Sequence, residues 1–314
     1  MISVFELTKK YGKITAVEDL TFQISRGEVI GFIGPNGAGK TTAFKCLTTL
    51  LCPDKGDVSF DGINLKENPE KVRNLIGFLP EGAPLIVELT VKEYLNFRFA
   101  LKSGCHTSCV NVEEASSVCG LTQVKNRVIG TLSEGYRKRT ALAETLLGDP
   151  KILILDEPAN GLDPEQIIHL RNLFLSLKST HTLLISSHIL SELEMICDRF
   201  IILSKGRIKS IGSREELLSR SSRKNKVLLR ILEKNETFMQ RLQNVAGIEK
   251  VVLNNQNEWR FELTIQDKSD PVPEIGRLIK QMDLTILELI QVTPSLEELY
   301  MELTHEENAV NRPD

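Results

Sequence analysis

Short, uninterrupted apolar runs alternate with amphipathic stretches through the first two-thirds of the chain. EVIGFIG (Glu28 to Gly34) is an apolar run closed by a glycine turn, and it predicts a buried strand. Helical spacing follows from Lys40. KILILDEP (Lys151 to Pro158) and HTLLISSH (His181 to His188) predict two more buried strands. Between them, PEQIIHLRNLFLSLKS carries amphipathic helical spacing. Strand, helix, strand with apolar strands predicts an α/β fold whose parallel sheet is covered on both faces. From about Gly82 to Gly148 strong strand patterns are missing. The segment opens with TVKEYLNFRFAL and closes with the helix after LSEG, so a helical insert is expected over about 82–148.

The pattern changes after residue 212. Gly212 to Asn225, GSREELLSRSSRKN, is basic and serine-rich and reads as a linker, which places a first domain over 1–220. Beyond it KVLLRIL, IEKVVL and WRFELTI predict strands, while ETFMQRLQNV and PEIGRLIKQM predict helices. That order, near β-α-β-β-α-β, predicts a small α+β ferredoxin-like domain over 226–304. The polar end HEENAVNRPD, 305–314, is expected to be disordered. No long-range internal repeat occurs, so each element is present once.

Composition narrows the classes. The 314 residues suffice for two domains or one with an appendage, and the net charge of −3 gives no general pull toward nucleic acid. MISVFELTKKYG lacks the basic start of a secretory signal, and no apolar run approaches the roughly 18 residues of a membrane span. Six scattered cysteines do not suggest a disulfide framework. CHTSC (Cys105 to Cys109) could be half a metal site, but no second half stands at zinc-like spacing, so reduced thiols are expected.

The chemistry concentrates where strands end. GPNGAGKTT (Gly34 to Thr42) has the glycine, four residues, glycine, lysine, hydroxyl spacing of a phosphate-binding loop, between a strand and a helix. Gly34, Gly37 and Gly39 let backbone N–H groups approach phosphate, with Asn36 in the same loop. Lys40 would reach the β- and γ-phosphates, Thr41 would ligate Mg²⁺, and Thr42 would add a hydroxyl contact. ILILDE supplies the acids: Asp156 for Mg²⁺ and Glu157 to polarise the attacking water. Pro158 is expected to keep Glu157 extended.

With these motifs in this order, the chain resembles the ATP-binding subunits of ABC transporters over about Ile2 to Ser219. The resemblance implies a P-loop NTPase fold: a parallel sheet core with antiparallel β and helical subdomains. It also implies roles. Tyr11, in TKKYGKITAV, would stack on adenine. Glu81, in IGFLPE, falls where the family places a glutamine that approaches Mg²⁺. Ser133 and Gly135, in LSEGY, fall in the family's signature motif. Asp163, in GLDP, would link two sites across a dimer. His188, in SSHIL, would contact the γ-phosphate. The family's two ATPase domains pack head to tail with each ATP between one copy's loop and the other's signature helix. ATP and Mg²⁺ as cofactors, a homodimer and a separate integral membrane permease are therefore implied. The chain would be peripheral on the cytoplasmic face of the inner membrane, with no nucleic-acid partner.

Two positions depart from the family pattern. Glu81 replaces glutamine, adding charge and removing an N–H₂ donor. Glu134 replaces glycine in the first turn of the signature helix. Two unit charges about 6 Å apart at an effective dielectric of 20 repel by roughly 3 kcal/mol, about a hundredfold in affinity. An outward-pointing, hydrated Glu134 would complement the helix dipole instead and be tolerated. FLPEGAPL, LSEGYRKR and PSLEELYMEL (Pro294 to Leu303) resemble the gliding-motility and drug-resistance-type exporter subgroup, which implies export. A soluble ABC ATPase acting as a regulator, or on ribosomes or DNA, is the second reading. Ribosome-acting members usually carry two ATPase copies and DNA-repair members a long coiled coil, and neither pattern is seen here.

Overall fold

The computed structural model describes residues 1–102, 111–219, 225–255, 259–266, 269–292 and 295–310. The CHTSC segment therefore lies outside the described residues. Two compact units result, Met1–Arg214 and Glu215–Asp314.

The first unit opens with β1 (Ile2–Tyr11) and β2 (Ile14–Ile24), then β3 (Val29–Ile33) and α1 (Lys40–Leu47). Next come β4 (Lys55–Phe60), β5 (Ile63–Asn64), α2 (Pro69–Leu75) and β6 (Ile76–Leu79). The helical insert holds α3 (Val91–Lys102), α4 (Val112–Val118) and α5 (Glu134–Leu146). The chain returns through β7 (Ile152–Leu155), α6 (Pro164–Leu177), β8 (Thr182–Ser187), α7 (Leu190–Glu194), β9 (Arg199–Ser204) and β10 (Arg207–Gly212).

The larger sheet runs β10-β9-β3-β8-β7-β6. Its pairs from β9 to β6 are parallel, and β10 closes one edge antiparallel. β3, β7 and β8 are buried at every position, as expected of strands covered on both faces. A second, antiparallel sheet runs β2-β1-β4-β5. One core joins the two sheets. Phe32 of β3 lies with its ring centroid 5.7 Å from Phe22 of β2 and 5.3 Å from Phe44 of α1. Those contacts fix the loop between β3 and α1 from both sides.

In the insert, Thr90 and Glu93 form a reciprocal cap that starts α3. The Thr90 N–H donates to Glu93 Oε2 at 2.9 Å, and the Glu93 N–H donates to Thr90 Oγ1 at 3.2 Å. Between Gly82 and Gly148 the described strand-like pairing is one isolated bridge, Thr90 to Val128.

The second unit differs from expectation at both ends. The linker is partly ordered, because α8 (Arg214–Ser219) forms within it. Acids at its start, Glu215 and Glu216, suit a helix N-terminus. β11 (Lys226–Ile231), α9 (Glu236–Leu242), β12 (Ile248–Asn255), β13 (Arg260–Ile265), α10 (Val272–Gln281) and β14 (Ile286–Val292) follow. All strand pairs are antiparallel, in the order β12-β13-β11-β14. That is the ferredoxin-like order, around a separate core in which Phe261 touches Phe238 and Trp259 edge-on. The tail expected to be disordered is helical to Val310 in α11 (Leu296–Val310). A Ser295–Glu298 capping box starts this helix, and no proline interrupts the run before residue 313. Residues 311–314 lie outside the described ones.

Candidate active site

In the larger sheet, β3, β8 and β7 lie side by side, although β7 precedes β8 in the chain. Ile33 pairs with Ser187, and Leu155 with Ile185. The glycine loop after β3, the acids after β7 and His188 after β8 therefore emerge together at the carboxyl ends of parallel strands, where α/β sheets bind ligands.

The loop is shaped by Gly39. It sits at φ 104°, and a Cβ there would stand 2.5 Å from the Ala16 carbonyl oxygen. No other residue fits so close to β2 with that backbone. The loop faces a cleft of about 490 Å³ whose walls include Asn36, Gly37, Gly39, Lys40, Thr41, Thr42, Glu81 and Glu157. Gly34 lies behind it, where the Lys40 ammonium donates to the Gly34 carbonyl at 2.7 Å.

Lys40 Nζ lies 3.2 Å from Glu157 Oε1, with both side chains nearly buried. His188 Nδ1 lies 2.8 Å from Glu157 Oε2, and with the carboxylate ionised the ring nitrogen donates. Lysine, glutamate and histidine thus form one line of contacts. Glu157 is not extended: its φ is +48°. A following proline disfavours the right-handed helical region but does not choose among the others. Here the Glu157 N–H donates to Ser186 Oγ at 2.8 Å, and the Glu157 carbonyl accepts from the Asn160 N–H at 3.2 Å. The chain turns at once after β7, which swings the carboxylate toward Lys40. A left-handed non-glycine residue costs about 1–2 kcal/mol, and such strain gathers at working sites.

Asp156 is 1% exposed. Ser186 Oγ donates to its Oδ1 at 2.6 Å, while Oδ2 is buried without a hydrogen-bond partner. Burial raises the Asp156 pKa, Ser186 and Thr41 pull it down, and the charges of Glu157 and Glu81 raise it further. An orphaned carboxylate oxygen beside the Thr41 hydroxyl fits a hard divalent cation, which takes oxygen ligands. Glu81 borders the same cleft, and its Oε1 accepts from Asn160 Nδ2 at 3.3 Å.

The other expected residues lie elsewhere. Tyr11 is exposed and does not line the cleft; Ile14, Thr15 and Ala16 of β2 do, with Lys205 and Gly206 of the β9–β10 turn. Ser133 is the cap residue of α5, exposed and without a side-chain capping bond. Gly135 is covered by its own chain, because a Cβ there would stand 2.6 Å from the Gln166 side chain. Asp163 caps α6 by accepting from the Gln166 N–H at 2.9 Å. Glu134 is exposed and paired with Arg137 at 3.2 Å. Ser186, Asn160 and Ile14 were not legible as site residues, because sheet order and turn geometry bring them in.

A phosphate loop after β3 and paired acids after β7, on the strand ends either side of β8, beside a helical insert whose last helix starts at LSEGY, define an ATP-hydrolysing cassette. The chain belongs to the ATP-binding proteins of ABC transporters. Residues 17–160 match the family model described as ABC transporter. The uncharacterised ABC transporter ATP-binding protein YxlF of Bacillus subtilis is 32% identical over 97% of this chain and 100% of its own length. The linearmycin resistance ATP-binding protein LnrL of the same organism is 28% identical over 97% of this chain and 98% of its own. Among solved structures, the dimeric post-hydrolysis state of the ATP-binding cassette MJ0796 bound to ADP and Pi matches with a TM-score of 0.61. It is 25% identical over 68% of this chain and 98% of that one. The chain is an ATP-binding and ATP-hydrolysing subunit of an ABC transporter. Among the described residues no helix is long and apolar enough to cross a membrane.

Proposed function

We propose that two copies of this chain close head to tail on ATP and drive export of a toxic compound from the cytoplasmic face of the cell membrane. The name of the linearmycin-resistance relative supports that cargo class. The line of contacts Lys40–Glu157–His188, beside the orphaned Asp156 oxygen, carries the hydrolytic part. Lys40 exchanges the oxygens of Gly34 and Glu157 for those of the β- and γ-phosphates. Glu157, once released, holds the attacking water as general base. His188 keeps Nδ1 on Glu157 Oε2 and leaves Nε2 for the γ-phosphate. Thr41, Asp156 and Glu81 would hold Mg²⁺, which when bound neutralises charge on the β- and γ-phosphates. Ser133 and Gly135 of the second copy would complete the site, and Asp163 would stand near the join. Tyr11 keeps its assignment to adenine only if the hairpin it ends moves over the cleft; Ile14 already stands there.

The groove beside Glu81 and the insert, walled by Phe78, Pro80, Ala83, Pro84 and Arg98, is the proposed permease contact. Steady-state hydrolysis of MgATP by the wild type and by Glu157→Gln tests the catalytic assignment. Glu157→Gln should lose about 10²–10⁴-fold in turnover while still binding ATP, and chelation of Mg²⁺ should silence the wild type. Equal rates in the two proteins would refute the role of Glu157.

A further inference from the structure

The first turn of α5 contains a glycine, a residue that weakens a helix relative to alanine. Gly135 is buried, and a side chain of α6 covers it. A Cβ on Gly135 would stand 2.6 Å from Gln166 Cδ, 2.7 Å from its Oε1 and 3.1 Å from its Nε2. The Gln166 carboxamide thus occupies the place that a larger residue at 135 would need. Gln166 is itself fixed at its backbone, in the first turn of α6, where its N–H donates to Asp163 Oδ1 at 2.9 Å. Two more backbone bonds lead back from Asp163 to the catalytic turn. The Leu162 N–H donates to the Ala159 carbonyl at 3.2 Å, and the Asn160 N–H to the Glu157 carbonyl at 3.2 Å. The start of α5 therefore touches, through one side chain, the segment that follows Glu157. Within α5 that start has little else to fix it, because Ser133 makes no side-chain capping bond. Farther along the helix Lys138 donates to the Glu81 carbonyl at 3.2 Å, so the second turn has a tie of its own.

We propose that Gln166 is a positioning residue for ATP hydrolysis: its carboxamide, seated on Gly135, holds the Ser133–Gly135 segment against the turn that carries Glu157. Glycine is needed at 135 because alanine displaces that carboxamide. The end of a glutamine is flexible, so displacing it costs the fold little. What is lost is the fixed relation between the two segments, and the effect falls on turnover rather than on stability. This rests on the head-to-tail reading above. There the Ser133–Gly135 segment meets the second copy's ATP while Glu157 acts on the chain's own, so the contact joins one site to the other.

The test compares the full-length wild type, Gln166→Ala, Gly135→Ala and the double variant in steady-state MgATP turnover, ATP affinity by calorimetry and a thermal melt. Gln166→Ala should lose about fivefold in kcat, with KM and ATP affinity changed by less than about twofold and the melting temperature by less than about 3 °C. Gly135→Ala should lose a similar factor in the wild-type background. In the Gln166→Ala background it should lose less than about twofold, because the contact is already gone. A Gln166→Ala kcat within about twofold of wild type overturns the proposal. So do losses that multiply in the double variant, since Gly135 then acts independently of Gln166. A kcat that falls together with a larger drop in melting temperature also overturns it, because packing then explains the loss. A wild type without turnover overturns the hydrolysis reading and this proposal together.

Discussion

A carboxylate with one oxygen bonded and the other buried and bare is a liability to the fold, and Asp156 is in that position. Burial lifts its folded-state pKa above the ordinary value of 3.8. The native chain therefore binds more protons than the unfolded one between that value and the raised one. Stability contributed by this group falls as pH rises through that window and stays low at neutral pH. Asp156→Asn should raise the melting temperature at pH 7 by a few degrees, on the scale of about 2–4 °C per kcal/mol. The gain should vanish as pH falls below the carboxylate range. Adding Mg²⁺ and nucleotide should stabilise the wild type more than the variant, since the cation is what the bare oxygen fits. A melt series over pH checks the sign; a gain that grows toward acid would contradict it. Glu157 stores strain in its backbone, and Ser186 holds both acids through one hydroxyl. Ser186→Ala should therefore impair turnover by about tenfold or more although Ser186 faces no substrate. Single-turnover kinetics would locate that loss in the chemical step.

The first turn of α5 resolves the question of its acid at the level of the element. Glu134 is exposed, stands in the positive end of the helix dipole and bridges to Arg137, so its charge is spent on neighbours and water. Glu134→Gly should leave ATP turnover within a few-fold; a large gain would show that the acid holds the enzyme back. The loop before α1 has no such latitude. Gly39→Ala forces a side chain against the Ala16 carbonyl at a φ that L-residues avoid, and should abolish nucleotide binding measured by calorimetry. The contrast explains what was legible. The loop, the acids and the strands carrying them announce themselves through local spacing, and the buried runs of β3, β7 and β8 do the same. Lys138 gave no sign, because a lysine in a helix is normally solvated and only the packing of α5 against the Glu81 segment buries it. Ile14 displaced Tyr11 at the cleft wall because the hairpin register sets them opposite each other, and pairing cannot be read along one strand. The end of the chain is as polar as a disordered tail, yet its capping box and unbroken spacing carry a helix to Val310.

At the scale of the whole chain, each unit has its own core. Phe238, Phe261 and Trp259 belong to a cluster confined to the second unit. A fragment spanning 225–310 should therefore melt cooperatively by circular dichroism, and Phe261→Ala should cost it about 3–5 kcal/mol. The first unit, by contrast, holds an active site that one copy leaves incomplete on the proposed reading. Its loop and acids face the cleft, while Ser133 makes no capping bond within its own helix and stands exposed. A helix N-terminus with free N–H groups and an uncommitted hydroxyl suits an anion brought by another molecule. If hydrolysis separates the copies on that reading, a slow enzyme should keep them together. Glu157→Gln with MgATP should run as a dimer in light scattering at micromolar concentration, and as a monomer when Mg²⁺ is chelated. Ser133→Arg in that background should prevent the dimer without weakening ATP binding by a single copy, because on the proposed reading residue 133 would touch only the second copy's nucleotide. If Glu157→Gln stays monomeric at every concentration with MgATP, the site must be complete within one chain, and the exposed start of α5 would need another occupant.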